Sequence, residues 1–150
     1  MRIIGLFVAI AALVIVPAAA GDAVYHSQHV ALTPVVAGES GRGFVENIHA
    51  NGPNVFADEQ YFVSGALPLT SYDVDIHVFS PADPTCSGTP LFEATTATFT
   101  TNPAGNGSAY HVFTPTDAEG IRGLTVHAYW TLSTGGSVAY TTTCQTIQLD

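Results

Sequence analysis

In the stretch from Ser71 to Ser80 apolar and polar residues alternate as far as Val78. Tyr72, Val74, Ile76 and Val78 interleave with Asp73, Asp75 and His77. Successive side chains of a strand point to opposite faces, so this period predicts a strand with its apolar set on a core. Leu124, Val126, Ala128, Trp130 and Leu132 repeat the period. Shorter β-rich runs fall at residues 29–33, 44–50, 55–64, 91–101, 108–114 and 138–149. Loops rich in Gly, Pro and Asn separate them: 34–43, the turn Asn51-Gly52-Pro53, 81–90, 102–107 and Gly135-Gly136. The stretch from Asn102 to Gly107 predicts a hairpin joining its two neighbours. Thr116-Asp117-Ala118-Glu119, stopped by Gly120, has capping-box spacing and predicts one helical turn. In the last run the apolar parity changes between Tyr140 and Ile147, which predicts a bulge or bend near Cys144. Seven or eight short strands with so little helical periodicity define an all-β sandwich or barrel. No repeat of 20 to 50 residues is present, which excludes a solenoid or propeller.

The first twenty residues change the picture of where this fold operates. Arg2 precedes an uninterrupted apolar run from Ile3 to Val16. Pro17 breaks it, and Ala18 and Ala20 form a small-residue cleavage site. This is the pattern of an export signal over residues 1–20, with the mature chain starting at Gly21 and residues 21–150 forming one domain. A retained anchor is the alternative, although the run is short for a membrane span. Cys86 and Cys144 are the only cysteines. In an oxidising compartment an even count reads as a bridge, and a loop of this length restricts the unfolded chain by about 4 kcal/mol. The chain carries 12 Asp and Glu against three Arg and no Lys. Nucleic-acid binding rests on Lys and Arg neutralising phosphates, so that class is excluded, as is docking on anionic lipid.

At residues 63–74 the string VSGALPLTSYDV resembles the late-strand turn of a fibronectin type III module. Val63, Gly65, Pro68, Thr70, Tyr72 and Val74 fit its pattern, and Ala66 stands where Leu is usual. The resemblance covers a dozen residues. It implies an immunoglobulin-like or fibronectin type III-like antiparallel sandwich, with Tyr72 as a tyrosine-corner residue whose hydroxyl bonds to backbone upstream. An early-strand Trp is missing, and the order Cys86, Trp130, Cys144 lacks immunoglobulin spacing. The later segments also resemble small exported domains of high-GC Gram-positive bacteria. Neither resemblance carries catalytic residues.

Candidate chemistry follows from the six histidines. Asp75 and His77 share one face of their strand, and His127 lies on the outward parity of another. Were those strands neighbours, the three side chains would offer imidazole and carboxylate ligands to Zn or Cu. The competing reading is two polar strand faces in water. Tyr110, Tyr129 and Tyr140 on outer faces would stack on sugar rings, or else pack across strands. The loop 102–107 holds no carboxylate for calcium. Asn106-Gly107-Ser108 is a glycosylation sequon that matters in a eukaryotic host. Gly38-Glu39-Ser40-Gly41 echoes a serine nucleophile loop without a matching His or Asp context. Asp58 and Glu59 are adjacent and so point to opposite faces, which prevents a glycosidase pair. The sequence therefore points to a non-catalytic extracellular binding, adhesion or structural module, its partner a protein or carbohydrate. A secreted Zn/Cu protein or hydrolase using the histidines is the alternative.

Overall fold

A computed structural model describes residues 25–50, 57–114, 116–117, 119–121 and 123–149. The leader at 1–20, the start at Gly21, the turn Asn51-Gly52-Pro53 and Ala118 lie outside them. Among the described residues nine antiparallel strands follow one another: β1 (Tyr25–Pro34), β2 (Arg42–Ala50), β3 (Ala57–Ser64), β4 (Ser71–Phe79), β5 (Phe92–Thr100), β6 (Gly107–Val112), β7 (Thr125–Thr134), β8 (Ser137–Thr141) and β9 (Gln145–Gln148). They pair in the order β5-β4-β7-β8-β1-β2-β3-β6, with β9 beside β7. The protein is thus all-β and antiparallel. Strand β1 is the hinge of the sheet: Tyr25 to Leu32 pair with β2, while Thr33 and Pro34 pair with β8. It joins a first wall (β1, β2, β3, β6) to a second (β5, β4, β7, β8, β9).

The two ends of this order, β5 and β6, are consecutive in the chain. They meet at the corner 101–106 but do not pair, so the sheet nearly closes into a barrel. The hairpin expected there is therefore a corner between walls. Its turn residues serve another purpose, docking on the loop 65–70. Ala66 N–H donates to Gly105 O at 3.0 Å, and Thr101 Oγ1 donates to Leu67 O at 2.6 Å. Gly105 has φ +77°, and a Cβ there would stand 2.1 Å from Ala66 O. Only glycine fits both the conformation and the contact.

Apart from Leu124, which precedes β7 and is 40% exposed, the alternations read from sequence point inward. Tyr72, Val74, Ile76 and Val78 of β4 and Val126, Ala128, Trp130 and Leu132 of β7 are buried, facing Val45, Tyr61 and Val63 of the first wall. The last run splits in two at 142–144. Its halves, β8 and β9, pair with opposite ends of the same β7 edge. At the split, Thr142 N–H donates to Trp130 O, and Trp130 N–H donates to Thr142 Oγ1, both at 3.0 Å. Cys144 follows immediately and is bonded to Cys86, with Cα atoms 5.8 Å apart. The helical turn expected near Thr116 is instead a run of turns among the described residues. Asp117 reaches back to accept from the N–H and the hydroxyl of Thr114, each at 2.7 Å.

Candidate functional site

The outer face of the second wall holds the residues proposed for metal. Strands β4 and β7 are neighbours, and their register places Asp75 opposite Thr131, His77 opposite Tyr129 and Phe79 opposite His127. Asp75, His77 and His127 therefore share one face, yet each is already engaged. His77 Nδ1 lies 2.6 Å from Glu93 Oε1 and its Nε2 3.2 Å from Thr131 Oγ1. Asp75 accepts from Thr95, Asp73 accepts from Thr98, and His127 Nδ1 meets Thr146 Oγ1 at 3.2 Å. The Tyr129 ring stacks on His77 at 4.5 Å and on Phe79 at 5.6 Å. His127 lies within the sheet's outward set but is only 8% exposed. Among the described residues, no group of three or more His, Cys, Asp or Glu is arranged to hold a metal ion. The three residues share a face without converging on one point.

Two carboxylates that the sequence did not single out as sites are buried instead. Glu59 of β3 is 0% exposed. It points inward because it shares the parity of Tyr61 and Val63, while Asp58, Gln60 and Phe62 point out. Its Oε1 accepts from Asn47 Nδ2, directly opposite on β2; its Oε2 accepts from Tyr61 Oη and, across the core, from Trp130 Nε1 at 2.9 Å. Tyr61 Oη also lies 2.8 Å from Thr96 Oγ1. Thr96 reaches the core as the extra residue of a β5 bulge, since Ala97 pairs with Val74 and Thr95 with Asp75. Burial pushes the Glu59 carboxyl up to about 7, against the pull of its three hydrogen-bond donors. Burial and the adjacent Glu59 charge push the Tyr61 hydroxyl up as well.

Glu39 closes one end of the barrel. It lies in the loop between β1 and β2, and its two oxygens accept from Tyr72 Oη and Tyr140 Oη, each at 2.6 Å. Tyr72 thus gives its proton to a side chain. The hydroxyl hydrogen donates to the Glu39 carboxylate, while the upstream backbone bond expected of Tyr72 is made on its oxygen side. The Leu67 amide still faces the Tyr72 hydroxyl oxygen. Burial, then the bond to Glu39, raises both tyrosine hydroxyls above their ordinary range. Tyr140 is wholly buried, so it presents no ring to a ligand.

The outer face of the first wall is built differently. His29, Phe44 and Phe62, from β1, β2 and β3, stack in a row with centroids 4.2 and 4.7 Å apart. Beside the row runs a groove of about 700 Å³ lined by His29, Arg42, Phe62, Ser64, Asn106 and Ser108, among others. Phe62 and Ser108 continue it into a smaller depression with Asp58, Gln60 and Tyr110. Tyr110 is 74% exposed. The groove is rich in donors. Asn106 Oδ1 accepts from Gly65 N–H and Asn102 Oδ1 accepts from Ala104 and Asn106 N–H, so each side chain has its NH2 group left to offer. The His29 Nδ1 is held by Glu46 at 3.2 Å. The alternation of β2 and β3 fixes which residues face out, but the sequence did not show that the corner loop would bring Asn102 and Asn106 alongside them.

Compared with known proteins, the chain matches no family model, no curated protein and no solved structure. No helix among the described residues is long and apolar enough to cross a membrane.

Proposed function

We propose that this protein is an exported, non-catalytic binding module on an immunoglobulin-like or fibronectin type III-like scaffold, and that its ligand is a carbohydrate seated in the Phe62 groove. The observation that carries this reading is the composition of the groove: aromatic rings and hydrogen-bond donors line it together. A sugar ring offers an apolar C–H face and a rim of oxygen acceptors. Phe62 and the exposed Tyr110 suit the face, while Arg42, Ser64, Asn102, Asn106 and Ser108 suit the rim. The leader-like run at 1–20 and the Cys86–Cys144 bridge support export. The second wall, with its polar groups paired among themselves, supports a purely structural role for that side.

Retention of the protein on a panel of insoluble polysaccharides, followed by calorimetry with oligosaccharides of the retaining polymer, tests the reading. Tyr110→Ala and Arg42→Gln should each weaken binding at least tenfold while the melting temperature stays unchanged. Retention by no polysaccharide, or retention indifferent to both substitutions, overturns the carbohydrate assignment.

A further inference from the structure

We infer that Glu59 and Asn47 form a proton-coupled pair inside the domain: when Glu59 takes up a proton the Asn47 amide turns over to accept it, and the fold tightens on acidification. Among the described residues no cation compensates Glu59. Glu59 is fully buried, and the groups around it among the described residues are Asn47 from β2, Tyr61 and Asp58 from its own strand, Trp130 from β7 and, beyond Tyr61, Thr96 from β5. Asp58 adds negative charge. His111, opposite Glu59 in register on β6, packs its ring edge-to-face with Phe113, centroids 4.5 Å apart. A buried charge with hydrogen bonds but no counter-charge is costly, and the neutral acid is its natural escape.

Asn47 shows how the neutral acid fits. With Nδ2 donating to Glu59 Oε1, the Asn47 Oδ1 is buried without a partner. A protonated Oε1 would face a donor with a donor. Turning the amide over puts Oδ1 in that place, where it accepts the new Oε1–H, while Tyr61 and Trp130 continue to donate to Oε2. The flip exchanges which amide atom lacks a partner and removes the buried charge, and the charge is the larger cost. An amide's two ends have nearly the same shape, so no repacking is required.

Burial holds the Glu59 carboxyl at about 7 in the folded protein against an ordinary 4.5. The folded state therefore binds this proton more tightly. Its stabilisation is complete below pH 4.5 and is lost as pH rises through about 7. The folding equilibrium constant should fall by roughly two orders of magnitude over that span from this group alone.

Carbon-13 and nitrogen-15 NMR titration of the protein, with urea denaturation from pH 5 to pH 8, tests the pair. The Glu59 carboxyl carbon should titrate near pH 7, and the Asn47 side-chain amide signals should shift with the same midpoint. In Glu59→Gln the urea midpoint should lose the part of its pH dependence that this group supplies. The six histidines are common to both proteins and cancel in the comparison. If Glu59→Gln fails to fold, the titration of the unaltered protein decides alone. A Glu59 carboxyl that titrates below about pH 5, or an Asn47 amide that stays still while Glu59 titrates, overturns the inference.

Discussion

The two outer faces of this barrel-like sheet spend their side chains in opposite ways. On the second wall, Asp73, Asp75, His77 and His127 each find a partner on a neighbouring strand: Thr98, Thr95, Glu93 with Thr131, and Thr146. On the first wall the row His29, Phe44 and Phe62 lines a groove together with the amides of Asn102 and Asn106 and the guanidinium of Arg42. Chemistry-bearing residue types are commoner on the second wall, but open chemistry is commoner on the first. A titratable side chain whose partners all lie on the adjacent strands is part of the sheet. The difference teaches that residue type alone points to the wrong face, and that the state of each group's hydrogen bonds points to the right one.

The largest effect that can separate the walls comes from the disulfide. Replacing both cysteines, Cys86→Ser with Cys144→Ser, should cost about 3–4 kcal/mol of stability by urea denaturation. It should speed amide exchange in β8 and β9, which flank Cys144, more than in β2 and β3. Carbohydrate affinity measured where the variant is still folded should be unchanged, because the bridge lies on the second wall. A variant that loses affinity in step with stability would mean that the faces are not independent.

Next in size is the clamp at Glu39. Tyr72→Phe and Tyr140→Phe each remove one donor from a buried carboxylate oxygen. Each should lower stability by about 1–3 kcal/mol, with the double variant losing less than the sum because both act on one group. Since the clamped loop leads directly into Arg42 and Phe44, a modest loss of ligand affinity should accompany the loss of stability. Equal stability for the two tyrosine variants and the parent would show the clamp to be idle.

Smaller still is the expected response of the second wall's own histidine. His77→Ala breaks a partly exposed pair with Glu93 and should change stability by no more than about 1 kcal/mol, with no effect on sugar binding. Zn and Cu should bind the parent and His77→Ala with the same low affinity in a calorimetric titration. Tight metal binding lost on this one substitution would reinstate the second wall as the functional face.

How much of this was legible beforehand depends on how local the cause is. The β4 and β7 alternations name their core-facing sets, because parity within one strand decides which side chains turn inward, although Phe79, His127 and Thr131 on the outward parity are covered as well. The Cys86–Cys144 bridge followed from a count of two. The corner at 101–106 was misread as a hairpin because Asn, Pro and Gly announce a change of direction without saying whether the flanking strands pair. That choice is made by β3 and β4, which take β6 and β5 as their partners. Glu59 went unread as a buried group because Asp58-Glu59-Gln60 looks like a polar stretch. Its parity with Tyr61 and Val63 was the available signal. Its tolerance inside the core depends on Asn47 and Trp130, which lie 12 and 71 positions away. The groove was out of reach for the same reason, since it exists only where β1, β2, β3 and the corner loop come together.

The central claim, that the first wall is the binding face, is tested most directly by mapping amide shift changes while the retaining oligosaccharide is titrated into the labelled protein. The account predicts saturable changes confined to His29, Arg42, Phe44, Phe62, Ser64, Asn102, Asn106, Ser108, Tyr110 and their backbone neighbours, with Asp75, His77, Tyr129 and His127 unmoved. Changes centred on the second wall, with the Phe62 groove silent, would contradict it.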